Sequence, residues 1–183
     1  MVERTLSHVH AISKPRILEL GTGSGAIALA IATERADCQF TAIDVSIEAI
    51  QIAKQNALAL QIESIEFYQS DWFSHVPPQT FHLIVSNPPY LAPDDPHLKE
   101  GDLRFEPQLA LISEQQGLAA LRHLIQHAPP YLDPNGWLCL EHGHMQEDLI
   151  QQTFKQCGYR NVTTHFDIQG HGRVTEGSID TKI

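Results

Sequence analysis

Short aliphatic and β-branched runs alternate along this chain with longer segments of helical periodicity, the pattern of β-α-β units that assemble a parallel sheet. Strands are predicted at Arg16–Leu20, Gln39–Ile43, Ile65–Gln69 and Phe81–Ser86. A helix from Gly25 to Glu34 carries Ile27, Leu29, Ala30 and Ile31 in an apolar surround suited to packing on a sheet, and a second runs from Ile47 to Leu60 with Ser46 placed to cap it. Residues 91–112 carry Pro93, Pro96 and Pro107 among scattered charges, the composition of a lid or binding loop. Beyond it the pattern predicts a helix from Gly117 to Leu132, a Pro134-Asn135-Gly136 turn and a strand at Trp137–Leu140. A helix near Gln146–Cys157, a strand near Asn161–Phe166 and a short last strand near Arg173–Thr175 follow. The expectation is a seven-stranded α/β sheet closed by a hairpin, with no internal repeat, and with the last residues, 178–183, frayed.

Composition narrows the partners. Acidic residues outnumber basic ones 22 to 12, and a formal charge of -10 repels a phosphate backbone, so direct nucleic-acid binding is disfavoured. Cys38, Cys139 and Cys157 are odd in number and widely spaced, which fits neither a disulfide framework nor a zinc knuckle. The start of the chain has no apolar signal-like region, and no run approaches the roughly 18 apolar residues of a membrane span. A soluble chain in a reducing, cytoplasmic setting is expected, with no membrane partner.

The first chemical signal is Glu19-Leu20-Gly21-Thr22-Gly23-Ser24-Gly25-Ala26 between a strand and a helix, where glycines permit a tight turn and close approach of a ligand. The same residues satisfy a Gly-x-Gly-x-x-Ala dinucleotide fingerprint, so they predict a nucleotide site without choosing its class. Asp44, 23 residues after Gly21 at a strand's carboxyl end, can accept hydrogen bonds from ribose hydroxyls, or else cap the helix at Ile47. Asp71-Trp72 offers a carboxylate for an exocyclic amine and a flat wall for adenine; the alternative is that Trp72 and Phe73 belong to the core.

The second signal is Asn87-Pro88-Pro89-Tyr90 at the end of the fourth strand. Two prolines fix φ and remove two donors, leaving a stiff turn lined by acceptors, and Asn87 is pushed to extended geometry by Pro88. The Asn87 amide oxygen and the Pro88 carbonyl can accept both N–H groups of one planar nitrogen and so align its remaining lone-pair direction with a methyl carbon. Positioning of this kind contributes up to about 7–11 kcal/mol in favourable systems, and no strong general base is obligatory. Tyr90 is placed to stack on the acceptor and exclude water. Asn-Pro-Pro is also an ordinary loop initiator, and its position beside the glycine turn, Asp44 and Asp71 is what favours chemistry.

With these residues assembled, the chain resembles the HemK/PrmC family of peptide chain release factor glutamine N5-methyltransferases. The resemblance rests on Leu18-Glu19-Leu20-Gly21-Thr22-Gly23-Ser24-Gly25, Gln69-Ser70-Asp71-Trp72-Phe73, Ile84-Val85-Ser86-Asn87-Pro88-Pro89-Tyr90, Gly101-Asp102-Leu103-Arg104-Phe105-Glu106-Pro107, Glu141-His142-Gly143 and Arg173-Val174-Thr175. It implies a Rossmann-like class I S-adenosylmethionine-dependent methyltransferase fold, a mostly parallel seven-stranded sheet with an antiparallel C-terminal strand and helices on both faces. It also implies S-adenosylmethionine as cofactor at Gly21, Thr22, Gly23, Ser24, Gly25, Asp44, Asp71, Trp72 and Asn87, and substrate binding at Asn87, Pro88, Pro89 and Tyr90. Asn87 and Pro88 would be catalytic, and the substrate would be the glutamine of a Gly-Gly-Gln loop in a release factor. Family members carry an N-terminal helical docking domain, so 1–183 reads as one methyltransferase domain without it.

Two other readings stay open: an adenine-N6 DNA methyltransferase, since the same turn can serve an exocyclic base nitrogen, and a cofactor-binding module that no longer turns over. Arg104 and Glu106 fit either a lid and substrate contact or an exposed loop ion pair. His142 and His144 have no carboxylate or cysteine set to complete a metal site and read as structural; histidines 8, 10, 75, 82, 123, 127, 165 and 171 show no ligand spacing.

Overall fold

A computed structural model describes residues 1–95, 98, 101, 105 and 107–180. The elements in chain order are α1 (Val2–Val9), β1 (Arg16–Leu20), α2 (Ala26–Glu34), β2 (Gln39–Asp44), α3 (Ile47–Ala59), β3 (Ile65–Gln69), β4 (Phe81–Ser86), α4 (Gln108–Leu111), α5 (Glu114–Gly117), α6 (Ala119–His127), β5 (Leu132–Glu141), α7 (Glu147–Gln156), β6 (Arg160–Phe166) and β7 (Gly172–Ser178). The strands form one seven-stranded sheet in the order β3-β2-β1-β4-β5-β7-β6, parallel except at β7, which runs antiparallel to both neighbours.

The central strands read as near-continuous apolar runs because both faces are covered, the condition that parallel sheets require. Alternation along the strands divides the core in two. Leu18, Leu20, Ile84, Leu138 and Leu140 pack with Leu121, Leu124 and Ile125 of α6 and Ile150 and Phe154 of α7. Ile17, Leu83, Val85 and Cys139 pack instead with Ala28, Leu29, Ile31 and Ala32 of α2 and Val9 of α1. Parallel strands share one carboxyl edge, so the ends of β1, β2, β3, β4 and β5 come together, and chain order reverses between β1 and β4.

The structure shifts several boundaries. The helix expected over Gly117–Leu132 is helical only at Ala119–His127; Pro129 and Pro130 cannot supply the next amide donors, and the chain tightens into a single 3-10 turn at Pro129–Tyr131. The Pro134-Asn135-Gly136 turn is not a boundary but an irregularity inside β5, which already pairs at Leu132 with Phe81 and resumes at Trp137 with Leu83. Asn135 takes the left-handed φ of +62° that this kink requires. The last strand is longer than expected, because Gly172–Ser178 finds partners on both sides. The 91–112 connection is tied at its two ends by a parallel bridge between Leu91 and Ile112. Pro96, Asp102, Leu103, Arg104, Glu106 and residues 181–183 lie outside the described residues.

Helix α1 is fastened to the sheet by a charge cluster that joins residues far apart in sequence. Arg4 grips the buried Glu176 carboxylate through Nη2 at 2.7 Å and Nε at 3.2 Å. His8 and His165 place their Nε2 atoms 3.0 and 3.1 Å from the same group, near enough to interact though not aligned for hydrogen bonds. Burial alone would raise the Glu176 carboxyl, but these contacts outweigh it and hold the group well below the usual carboxylate range. The His8 ring also stacks on Trp137 at 4.1 Å. His8, Cys139 and Glu176 are close enough to consider as metal ligands, but Arg4 already engages both carboxylate oxygens, which favours an ion-paired anchor.

Candidate active site at the carboxyl edge of the sheet

The glycine turn forms as the sequence predicts, with φ of +70°, +56° and +83° at Gly21, Gly23 and Gly25, values that only glycine adopts freely. Thr22 is buried and donates its backbone N–H to Ile43 O at 2.9 Å, pinning the turn to β2. Its hydroxyl donates to Glu19 Oε2 at 2.6 Å. Ser24 is exposed, and its carbonyl accepts from Asn56 on α3 at 3.0 Å. Gly25 caps α2 against Ala53 and Leu29, whose atoms a Cβ would meet at 3.3 and 3.2 Å. At Gly23 no atom lies within 4 Å of where a Cβ would stand, so the turn presents bare backbone to open space.

Asp44 ends β2 half-buried and does two local jobs: Oδ2 accepts from Gly23 N and Oδ1 from Ser46 N, both at 2.9 Å. It therefore braces the turn, while Ser46 caps α3 through its contact with Ala49 N at 3.1 Å. Each carboxylate oxygen retains a further lone pair for a ligand hydroxyl. Asp71 is exposed just past β3. Trp72 and Phe73 part ways: Phe73 is core, stacked on Tyr131 at 4.7 Å, whereas Trp72 is half-buried with its ring against the Gly21 backbone. Trp72 holds a left-handed φ of +44°, costly for a bulky residue, and Ser70 fixes it by donating to Trp72 O while accepting from His75 N, each at 2.9 Å.

On β4, Ser86 is fully buried and donates to Leu20 O at 2.7 Å, so the strand that delivers the Asn-Pro-Pro-Tyr turn is tied to the strand that delivers the glycines. Asn87 emerges exposed, Pro88 is buried, and Pro89 and Tyr90 are half-buried. Tyr90 is hydrogen-bonded to Glu141 at the end of β5; burial raises that carboxyl, partly countered by the Met1 amino group, by Arg173 and by the tyrosine. All the predicted site residues thus gather along the carboxyl ends of β1 to β4.

Three further residues at this edge, Glu19, Glu141 and Gln146, receive no individual role in the sequence reading. Glu19 is 1% exposed, and burial pushes its carboxyl up to about 7 against the lowering effect of hydrogen bonds from Thr22 and the Ala28 backbone; nearby Asp44 adds to the rise. Its position two residues before the first glycine is the available signal. Glu141 lies in the Glu141-His142-Gly143 stretch of the resemblance, and Gln146 gives no signal beyond lying near a strand end. His142 is structural: its ring nitrogens contact Gly143 O at 2.9 Å and Thr175 Oγ1 at 2.8 Å, which occupies both.

Residues 4–100 match the family model of the methyltransferase small domain. The chain belongs to that family. It is 47% identical over 177 residues to a release factor glutamine methyltransferase of Salmonella typhimurium, covering 97% of this chain and 64% of that protein. With the corresponding protein of Escherichia coli it shares 48% identity over 162 residues, 88% of this chain and 58% of the other. The chain thus spans about three fifths of the length of these relatives. Among solved structures it is similar to a release factor-specific protein-(glutamine-N5) methyltransferase of Alicyclobacillus acidocaldarius, with a TM-score of 0.59 and 25% identity over 98% of this chain and 90% of that one. The fold is that of class I S-adenosylmethionine-dependent methyltransferases, with β7 as the antiparallel strand. No helix among the described residues is long and apolar enough to cross a membrane.

Proposed function

We propose that this chain transfers a methyl group from S-adenosylmethionine to the side-chain amide nitrogen of the glutamine in the Gly-Gly-Gln motif of peptide chain release factors. The observation that carries the reading is the placement of Asn87-Pro88-Pro89-Tyr90 at the end of β4, hydrogen-bonded through Ser86 to the strand that bears the glycine turn. The residues present fit the cofactor: open glycine backbone at Gly23, the Asp44 carboxylate for ribose hydroxyls, and the half-buried Trp72 with Asp71 for the adenine. Asp44 and Asp71 make this edge acidic, which favours a cationic sulfonium and disfavours a phosphate backbone.

Bound S-adenosylmethionine supplies an electrophilic methyl group on its sulfonium. The Asn87 amide oxygen and the Pro88 carbonyl accept the two N–H groups of the substrate amide, which fixes the plane of the nitrogen and leaves its attacking side free. Pro88 and Pro89 keep these acceptors rigid, so the alignment is built before substrate arrives. Tyr90, held by Glu141, walls the site from water.

Labelled S-adenosylmethionine offered to a release factor, a Gly-Gly-Gln peptide and adenine-containing DNA tests the reading. Label on the release factor glutamine is expected; label on DNA alone would sink it. Asn87→Ala should lower transfer at least 100-fold while cofactor affinity stays within about threefold, the loss expected when an aligning hydrogen bond is removed.

A further inference from the structure

Deepening that reading of the Asn87–Tyr90 turn, we infer that Gln146 and Gly117 are positioning residues that clamp it at Tyr90. The two prolines stiffen the turn internally but give it no backbone donors, so its far end must be held from outside. Gln146, just before α7, does this with one side chain. Its Nε2 donates to Tyr90 O at 3.0 Å and to Gln116 O at 3.4 Å, while its Oε1 accepts from Gly143 N at 2.9 Å. Two carbonyls and one N–H surround the amide, and only this orientation satisfies all three.

Gly117 closes the other side. A Cβ there would overlap the Tyr90 carbonyl oxygen and lie 2.8 Å from Gln146 Nε2, so the site admits only a glycine. The backbone reaches this position through three successive left-handed residues, Gln115, Gln116 and Gly117, with φ of +56°, +60° and +81°. Non-glycine residues carry a cost in that region, and two in a row persist only where neighbouring contacts over-determine them. α5 is therefore helical in its hydrogen bonding alone, a strained turn that approaches the Tyr90 carbonyl and Gln146 and is tied to α6 by Arg122, which donates to Gln115 Oε1 at 2.9 Å. Leu91 completes the brace, donating to Leu111 O at 3.0 Å and accepting from Ser113 N at 2.9 Å. Gly143 packs against the Tyr90 ring, which a Cβ would meet at 3.7 Å. Gln146 and the turn ending at Gly117 thus converge on the Tyr90 carbonyl, while Gly143 meets the Tyr90 ring and the bonds at Leu91 hold the next residue.

The test compares the chain with Gln146→Leu, Gln146→Glu and Asn87→Ala, reading kcat and KM on a release factor, cofactor affinity, and hydrogen exchange at the Leu91 amide. Gln146→Leu keeps the bulk and removes all three bonds. It should lower kcat about tenfold, leave cofactor affinity within twofold, and speed Leu91 exchange about tenfold, the scale of one or two lost hydrogen bonds. Gln146→Glu still accepts from Gly143 but sets a carboxylate against the Tyr90 carbonyl; protonation restores a donor, so its activity relative to the parent chain should rise as pH falls toward 5. Unchanged kcat, unchanged Leu91 exchange, or a parallel loss of cofactor affinity in Gln146→Leu would overturn the clamp. An active Asn87→Ala would instead overturn the nitrogen-holding reading, and the exchange measurement would still decide the clamp.

Discussion

Glu19 offers the sharpest test of how burial shapes this edge. It lies next to last in β1, almost without solvent contact, and burial holds its carboxyl at about 7 in the folded chain against an ordinary value of 4.5. The folded state therefore binds this proton more tightly than the unfolded chain. Its contribution to stability is complete below pH 4.5 and is lost as pH rises through about 7. At about 1.36 kcal/mol for each pH unit of separation, the loss amounts to about 3 kcal/mol. Glu19→Gln keeps the shape and cannot titrate. Urea unfolding of both proteins from pH 4 to pH 8, followed through the two tryptophans, isolates the contribution because every other group cancels in the difference. The parent chain should lose about 3 kcal/mol relative to Glu19→Gln across that range. A difference that stays constant within ~0.5 kcal/mol, the size of an ordinary surface substitution, would refute the claim that burial controls this carboxyl.

Other substitutions probe other contacts. Gly25→Ala meets both a left-handed φ of +83° and close contacts with Leu29 and Ala53, and should cost about 1–3 kcal/mol in thermal or urea unfolding. Asp44→Ala removes two turn-bracing bonds and the expected ribose acceptor, and should weaken S-adenosylmethionine binding by about 1–3 kcal/mol in calorimetry. Arg4→Ala should destabilise by about 1–3 kcal/mol at neutral pH. Because the Glu176 carboxyl is held low in the folded chain, its stabilisation is present above pH 4.5 and disappears as acid is added; the Arg4→Ala penalty should shrink below that pH.

Local rules made most of the framework legible in the sequence. Strand ends, the glycine turn and the proline turn are written in runs of a few residues, because apolar periodicity and restricted φ act over that range, and a parallel sheet gathers its strand ends on one edge. That is why the sequence alone places Gly21 to Gly25, Asp44, Asp71 and Asn87 together. The same local rules misjudged β5, where Pro134-Asn135-Gly136 reads as a turn but is absorbed as a kink once Phe81 and Trp137 find their partners. Partnerships that depend on strand order were decided only by the tertiary structure. Arg4 meets Glu176, Gln146 meets Tyr90, and Ser86 meets Leu20 across large separations in sequence. The proton affinity of Glu19 belongs to the same class, since a carboxylate next to glycines looks ordinary until two packed faces of a sheet remove its water.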